Sequence, residues 1–455
     1  MAVIKLSIHI FRRDLRLDDN TALLSALQQS ELVIPVFIFD ERQLSNPYRG
    51  NNSFEFMVNS LTELDQDLRR KGSRLFLFKG IAHEVINSLL SETNAKALFV
   101  NRDYTPFSSE RDEQISEICK IQNVQFFSYA DALLTEPEQV LKTDGKPYTV
   151  YTPFMKRARL IPIPFPVKNN HLNYFTGQIQ GTIDSPLEII TERNPNLLLN
   201  GGRNEALRLF SHLDKLQHYN EIRDYPAIKG TSLLSAHHKF GTISIRETYH
   251  RIAREFPPEN TFINELLWRD FFTHIVFHFP HVFVRSFRQQ YDNIEWENDK
   301  TKFDRWCNGQ TGFPIVDAGM RELTTTGYMH NRVRMIVASF LVKDLHIDWR
   351  WGERFFANHL IDYDPAVNNG NWQWSASTGC DAQPWFRIFN PWSQQQKFDP
   401  GCEYIKKWVN ELRGCSSSEI HNLQENLIPG NQYPLPMVEH SKESAISKEI
   451  FRNLR

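Results

Sequence analysis

Short β-rich runs alternate with helical patterns through the first 130 residues, and this alternation limits the fold more than any other feature of the chain. The runs Ile4–Phe11, Leu32–Asp40, Leu75–Lys79, Ala97–Asn101 and Val124–Ser128 are separated by periodic segments at Thr21–Gln29, Ser53–Arg70, Ala82–Glu92 and Ser109–Ile121. Strands that alternate with helices close as βαβ units, so five of them predict one parallel sheet with helices on both faces. Neither G-x-G-x-x-G nor G-x-x-x-x-G-K-[ST] occurs, so the sheet lacks the phosphate-gripping turn of a dinucleotide or triphosphate site.

After the first strand, F-R-R-D-L-R-L-D-D-N (Phe11 to Asn20) reads as a solvated, salt-bridged loop that caps the first helix through Asn20. From about Ile161 to Asn200 the sequence turns rich in Pro and Asn, the composition of a long surface connection between domains. Beyond it, Ala206–Lys215, Ile245–Glu255, Phe262–Phe277, Thr301–Asn308, Val316–Thr325, Met329–Leu345, Arg350–Asn358 and Tyr404–Leu412 have helical periodicity, with no convincing strand. The expected architecture is α/β: a parallel-sheet, Rossmann-like domain over 1–130, a linker over 131–200 and a large all-α domain over 201–455, with the last fifteen residues frayed.

A formal charge of −2 gives no global signature of nucleic-acid binding, so any such contact needs a local basic patch. Five cysteines without a C-x-x-C pair argue against a disulfide frame or zinc site and suit a reducing cytoplasm. No run of about 18 apolar residues or signal-like N-terminus is present, so no membrane association is expected.

The densest chemistry lies in Ile361–Gly379, I-D-Y-D-P-A-V-N-N-G-N-W-Q-W-S-A-S-T-G. Burying so many polar groups without partners costs about 1–3 kcal/mol each, so this stretch reads as a wall for a flat, polar, aromatic ligand. Within it, Asn369 and Gly370 need no more than a tight backbone turn. Spacings of three and four place Asn331, Arg334, Met335 and Ala338 on one helical face, either reaching solvent or lining a site. A buried Arg334 needs a carboxylate, and Asp362 and Asp364 stand just downstream. Thr231, Ser232 and Ser235 follow Gly230, as ordinary helix caps or as a phosphate site. Glu265, Trp268 and Arg269 share about one helical turn and, taken alone, are ordinary surface and core residues.

Taken in order, F-R-R-D-L-R-L-D-D-N, G-T-S-L-L-S, N-E-L-L-W-R-D-F-F, T-G-Y-M-H-N-R-V-R-M-I-V-A-S-F-L-V-K-D-L, D-Y-D-P-A-V-N-N-G-N-W-Q-W-S-A-S-T-G and R-I-F-N-P resemble the motifs of the photolyase and cryptochrome family. The resemblance is nearest to class I cyclobutane pyrimidine dimer photolyases and runs nearly the whole chain. It implies an α/β antenna domain, a linker and an all-α FAD-binding domain, and a carbon–carbon lyase that repairs UV-damaged DNA by light-driven electron transfer from reduced FAD.

Residue by residue, the resemblance assigns Tyr219, Thr231, Ser232, Leu233, Leu234 and Ser235 to the FAD phosphates and adjoining parts, with Glu265, Arg269 and Asp364 also beside the cofactor. Arg334 and Asp362 would pair against the flavin ring, and Asn368 would face N5, where Asn favours the reduced states used in repair and plant cryptochromes carry Asp. Glu265, Asn331 and Met335 would contact the flipped dimer between the aromatic walls Trp268 and Trp374. Photolyases acting on (6-4) lesions carry histidines at the positions of Asn331 and Met335. Trp372, Trp349 and Trp296 match the tryptophan chain that relays electrons to the flavin, and Arg223, Arg332 and Gln394 resemble DNA-contacting or lesion-flanking groups.

The antenna pigment stays open between a folate type, a deazaflavin type and none. Ser53 stands where deazaflavin-binding relatives carry Arg, and Asp103–Asp112 lacks the Asn-Glu pair associated with folate. Damaged DNA is the implied partner of a cytoplasmic monomer. The alternatives are a cryptochrome-like light sensor and a (6-4) photolyase.

Overall fold

Strands β1 (Ile4–Phe11), β2 (Ser30–Asp40), β3 (Phe76–Gly80), β4 (Ala97–Asn101) and β5 (Gln125–Tyr129) form one sheet in the order β3-β2-β1-β4-β5, every neighbouring pair parallel. They are the five strands expected from sequence, with no end displaced by more than two residues. The computed structural model describes residues 3–190, 192–257, 260–424 and 432–454. Register sets Ile8 of the central strand beside Ile34 and Leu98, and Ile10 beside Val36 and Val100, and all six are buried. A parallel sheet is covered on both faces, so its middle strands have no polar side, and each aliphatic side chain buried there contributes about 1.5–3 kcal/mol.

Helices Thr21–Gln29, Asn51–Arg70, Ala82–Thr93 and Pro106–Ile121 alternate with the strands. Asn20 caps the first, its side chain accepting the Leu23 N–H, and Thr105 caps the last ahead of Pro106. The loop before Asn20 is salt-bridged as expected but is not solvated. Asp14, Arg16, Asp19 and Asn20 are buried, with Arg16 paired to Asp131 at 2.7 Å and Arg246 spanning Asp19 at 2.9 Å and Asp131 at 2.8 Å. The partners that desolvate the loop stand more than 100 residues away, beyond the reach of local pattern. The Pro-rich connection that follows runs along the sheet for part of its length, with the Phe175 N–H on the Val33 carbonyl and the Ile183 N–H on that of Leu77, both at 2.8 Å.

Packing divides the chain into two compact units. One comprises Met1–Arg193, Leu199–Gln217 and Ser232–Pro280, so helices Ser235–Phe240, Ile245–Glu255 and Phe262–His278 belong with the sheet. The other comprises Asn194–Leu198, His218–Thr231 and His281–Arg455. Among the described residues no strand occurs after residue 200, and no helix is long and apolar enough to cross a membrane. In the second unit Val333, Ile336, Val337, Phe340 and Leu341 of helix Asn331–Lys343 share one core with Trp306, Trp349 and Trp372.

Helices Tyr151–Ala158, Pro365–Ala376, Pro391–Phe398 and His440–Asn453 have no counterpart in the sequence reading. The last replaces the expected frayed end: His440 bonds Asp344 at 2.5 Å, Glu443 bonds His346 at 2.8 Å, and Phe451 is buried. Only Arg455 of that terminal stretch lies outside the described residues.

Candidate active site

The stretch Ile361–Gly379 is built around helix Pro365–Ala376. Asp364 starts it, one carboxylate oxygen accepting the N–H groups of Ala366 and Val367, and Pro365 fills the first helical position, where no donor is needed. Asn369 and Gly370 therefore lie inside a helix and not in a tight turn. Four-residue spacing puts Asn368 and Trp372 on one face. Ser377 ends the helix in the left-handed region at φ 66°.

Polar side chains hold this helix in place. Asn369 Nδ2 donates to the Val282 carbonyl at 3.0 Å and to Glu353 Oε1 at 3.3 Å, while Gln373 Nε2 donates to the Val282 carbonyl and to Asn369 Oδ1. Asn368 Nδ2 donates to the Glu353 carbonyl at 3.1 Å, which leaves its Oδ1 without a protein donor among the described residues. Glu353, on helix Trp349–His359, is buried, and that burial lifts its carboxyl to about 7 against the weaker pull of the Asn369 bond. Its neighbour Gly352 permits close approach, since a Cβ there would sit 2.2 Å from the Trp372 ring.

Arg334 projects from helix Asn331–Lys343, donating through Nε to the Met329 carbonyl at 2.7 Å and through Nη2 to Asp362 Oδ2 at 3.0 Å. The expected ion pair therefore forms with Asp362, and Asp364 serves as the cap. Asp362 Oδ1 is buried with no partner among the described residues. On the same helix, Asn331 and Met335 stand one turn apart and meet through Nδ2 and Sδ at 4.0 Å. Arg332 pairs with Asp224 at 2.8 Å and lies over the Phe398 ring at 4.4 Å, so any phosphate it contacts competes with that carboxylate. Arg223 lies over Tyr219, its guanidinium 5.5 Å from the ring centroid, and Gln394 Oε1 is buried without a partner among the described residues. Thr231 is half-buried beside the Tyr328 hydroxyl.

Of the relay candidates, Trp349 is fully buried and Trp372 nearly so, whereas Trp296 is half-buried beside Tyr291, Ile294 and Phe451. Trp372 makes ring contacts with Phe356 at 5.0 Å and Trp306 at 6.3 Å, and its ring lies against Gly352, three residues along the helix from Trp349. Trp374, on the same helix, is half-buried.

The other unit carries the remaining candidates. Ser232 Oγ accepts the Leu234 N–H at 3.3 Å, Leu233 has the unusual φ of 57°, and Ser235 is the exposed first residue of helix Ser235–Phe240. Helix Phe262–His278 carries Glu265, Trp268 and Arg269. Tyr151 covers one face of Trp268 at a centroid distance of 3.6 Å and 6° between planes, so only the opposite face can receive a planar ligand. Arg269 donates to the Ala132 carbonyl at 2.5 Å and that of His238 at 3.3 Å. Sequence reasoning missed Tyr151, Gly352 and Glu353. The isolated glycine in W-R-W-G-E was the available signal, since a glycine within a helical pattern marks close approach.

The residues from 7 to 168 match the family model described as DNA photolyase, and residues 262–453 match that described as the FAD binding domain of DNA photolyase. The deoxyribodipyrimidine photo-lyase of Synechococcus is 38% identical, covering 98% of this chain and 96% of the relative, and that of Escherichia coli is 35% identical over 95% of each. Among solved structures, an archaeal photolyase from Sulfolobus tokodaii, described as holding two FAD molecules, has a TM-score of 0.89 at 45% identity, covering 98% of this chain and all of that one. A class III photolyase from Agrobacterium tumefaciens has a TM-score of 0.92 at 35% identity, covering 100% of this chain and 98% of that one, and a Synechocystis cryptochrome has 0.91 at 29%, covering 99% and 100%. Motif order, strand order and near-complete coverage at this identity agree: the chain belongs to the DNA photolyase family.

Proposed function

We propose that this protein repairs cyclobutane pyrimidine dimers in DNA, using light and bound FAD, as a cytoplasmic monomer whose catalytic part is the helical region after residue 200. The observation that carries this reading is full-length identity of 35–38% to deoxyribodipyrimidine photo-lyases, joined to a side-chain set that fits a flavin. The fit rests on the buried, partnerless Asp362 Oδ1. A carboxylate oxygen left dry is expensive, and a ring N–H on a flat heterocycle is the donor it lacks. Arg334, held by Asp362, would meet the carbonyl side of the same ring edge, and the free Oδ1 of Asn368 would accept from N5.

Reduced FAD, when bound and excited, supplies the electron that opens the cyclobutane ring and takes it back once the ring has split. The chain's own residues place the reactants. Trp268, with one face already covered by Tyr151, offers its other face to the extruded pyrimidine pair, and Trp374 forms the second apolar wall. Glu265 and Asn331 hydrogen-bond the base edges, and Glu265 stabilises charge developing on the dimer. Met335 packs against the dimer without a titratable group, whereas a (6-4) enzyme would carry histidine here and at Asn331. Tyr219, Thr231, Ser232, Leu233, Leu234, Ser235, Arg269 and Asp364 hold the rest of the cofactor. Arg223, Arg332 and Gln394 flank the lesion, which makes binding fall with salt. The antenna site in the α/β part stays open between a folate, a deazaflavin, a flavin as in the Sulfolobus relative, and no pigment.

The test is loss of thymine dimers from an oligonucleotide by the reduced, flavin-loaded protein, in light against darkness. Repair of cyclobutane dimers in light alone is expected; repair of (6-4) lesions only, or of neither, overturns the assignment.

A further inference from the structure

Trp372 sits in a cluster of aromatic rings with more than one electron source. The geometry points to Trp306 as a branch of the tryptophan relay, a buried indole that gives an electron to oxidised Trp372 in competition with Trp349 and later takes it back. The inference rests on the proposed role of Trp372 as the donor to photoexcited flavin.

Contact comes first. The Trp306 and Trp372 ring centroids are 6.3 Å apart, edge to face at 70°, and both rings are buried. Electrostatics then distinguishes the two competing donors. The Arg350 guanidinium lies 4.8 Å from the Trp349 ring centroid, and a cation there opposes a second positive charge on that ring, partly offset by Asp348 at 3.2 Å and Asp292 at 3.5 Å. Among the described residues no cation stacks on Trp306. Its Nε1–H donates to the Val337 carbonyl at 3.1 Å, and that dipole directs its negative end at the indole and favours the oxidised ring, whereas Trp349 Nε1 is buried without a partner among the described residues.

The surroundings make Trp306 a reservoir and not an outlet. Among the described residues the other rings in contact with it are Phe303, Phe355 and Phe356, none of which is readily oxidised. A backbone carbonyl does not take the indole proton, so an oxidised Trp306 keeps it. In the step, one electron passes from Trp306 to the Trp372 radical cation. Trp372 is restored, Trp306 becomes the radical cation, no bond breaks and no proton moves; the oxidant is the excited flavin that first oxidised Trp372. Half-buried Trp296 can release its proton to water, so the outer branch drains while the Trp306 branch returns.

Flash transient absorption of the tryptophan radical cation tests this in flavin-loaded wild type, Trp349→Phe, Trp306→Phe and the double variant. Trp349→Phe should keep a slow decay phase that the double variant loses, and Trp306→Phe alone should not shorten the longest-lived phase. Identical decay in Trp349→Phe and the double variant overturns the branch. Failure of the underlying reading looks different, because Trp372→Phe would then leave the wild-type signal unchanged. Should Trp306→Phe not retain flavin, Trp306→Tyr keeps more of the ring, and its hydroxyl has no base to take the proton. It should abolish the slow phase in the Trp349→Phe background, and its persistence overturns the branch.

Discussion

Each unit buries arginine–carboxylate chemistry, and the two do so in opposite ways. In the sheet-bearing unit Asp131 receives Arg16 at 2.7 Å, Arg246 at 2.8 Å, and both the N–H and hydroxyl of Thr21, so both of its oxygens are bonded. In the helical unit Asp362 meets Arg334 through one oxygen and leaves the other buried and bare, while the buried Glu353 carboxylate accepts from the Asn369 amide and, among the described residues, bonds no cation. A closed network resists change because every charge is already paired. An open one carries a standing cost that a ligand or a proton can relieve.

The largest expected effect breaks the closed network. Asp131→Ala leaves Arg16 and Arg246 buried without the carboxylate they share, at a cost of about 3–5 kcal/mol. Denaturant unfolding reads this directly. A loss below about 1 kcal/mol, the value of an exposed pair, would mean that the network is no more than a solvated surface cluster.

Proton linkage separates the two regions by sign. Burial works against the Asp131 carboxylate, but Arg16 and Arg246 prevail and hold it at about 2, below its ordinary 3.8. Its contribution is therefore complete above about 4 and is lost as pH falls towards 2. Glu353 runs the other way: burial raises it from 4.5 to about 7, so the folded state holds a proton that the unfolded chain has already released. Stability falls as pH rises from 4.5 to about 7 and levels off above that. Glu353→Gln should remove the fall, a gain on the order of 3 kcal/mol at pH 8. An unchanged pH profile would show that the carboxyl reaches water.

The closed and open regions were also unequally legible. Strands announced themselves through β-rich runs at regular spacing, because the face that each residue buries is set by its own neighbours in sequence. The desolvation of Arg16 was invisible, since Asp131 and Arg246 do the work from far along the chain. Helix Pro365–Ala376 escaped for a related reason. Asn368 and Asn369 weaken a local helical pattern, and the carbonyls of Glu353 and Val282 make them favourable there. Helix His440–Asn453 is mostly polar, and its anchors are Asp344 and His346. The proposed site residues stand in the sequence as a set of motifs, while their supports Tyr151, Gly352 and Glu353 needed three dimensions.

The smallest effect sharpens the distinction most. Asp362→Asn keeps an oxygen for Arg334 but turns an amide NH2 toward the place where a flavin N–H would arrive, setting donor against donor. FAD affinity should fall about tenfold, equivalent to 1.4 kcal/mol. The flavin-free protein should lose less than about 2 kcal/mol, well short of Asp131→Ala, because the amide oxygen still accepts from Arg334, whose side chain is partly exposed and keeps its Met329 bond. Equilibrium titration with FAD and denaturant unfolding of the flavin-free variant give the two numbers. Should Asp362→Asn destabilise the flavin-free protein as much as Asp131→Ala does, the open pair is structural after all, and the bare oxygen no longer marks a ligand site.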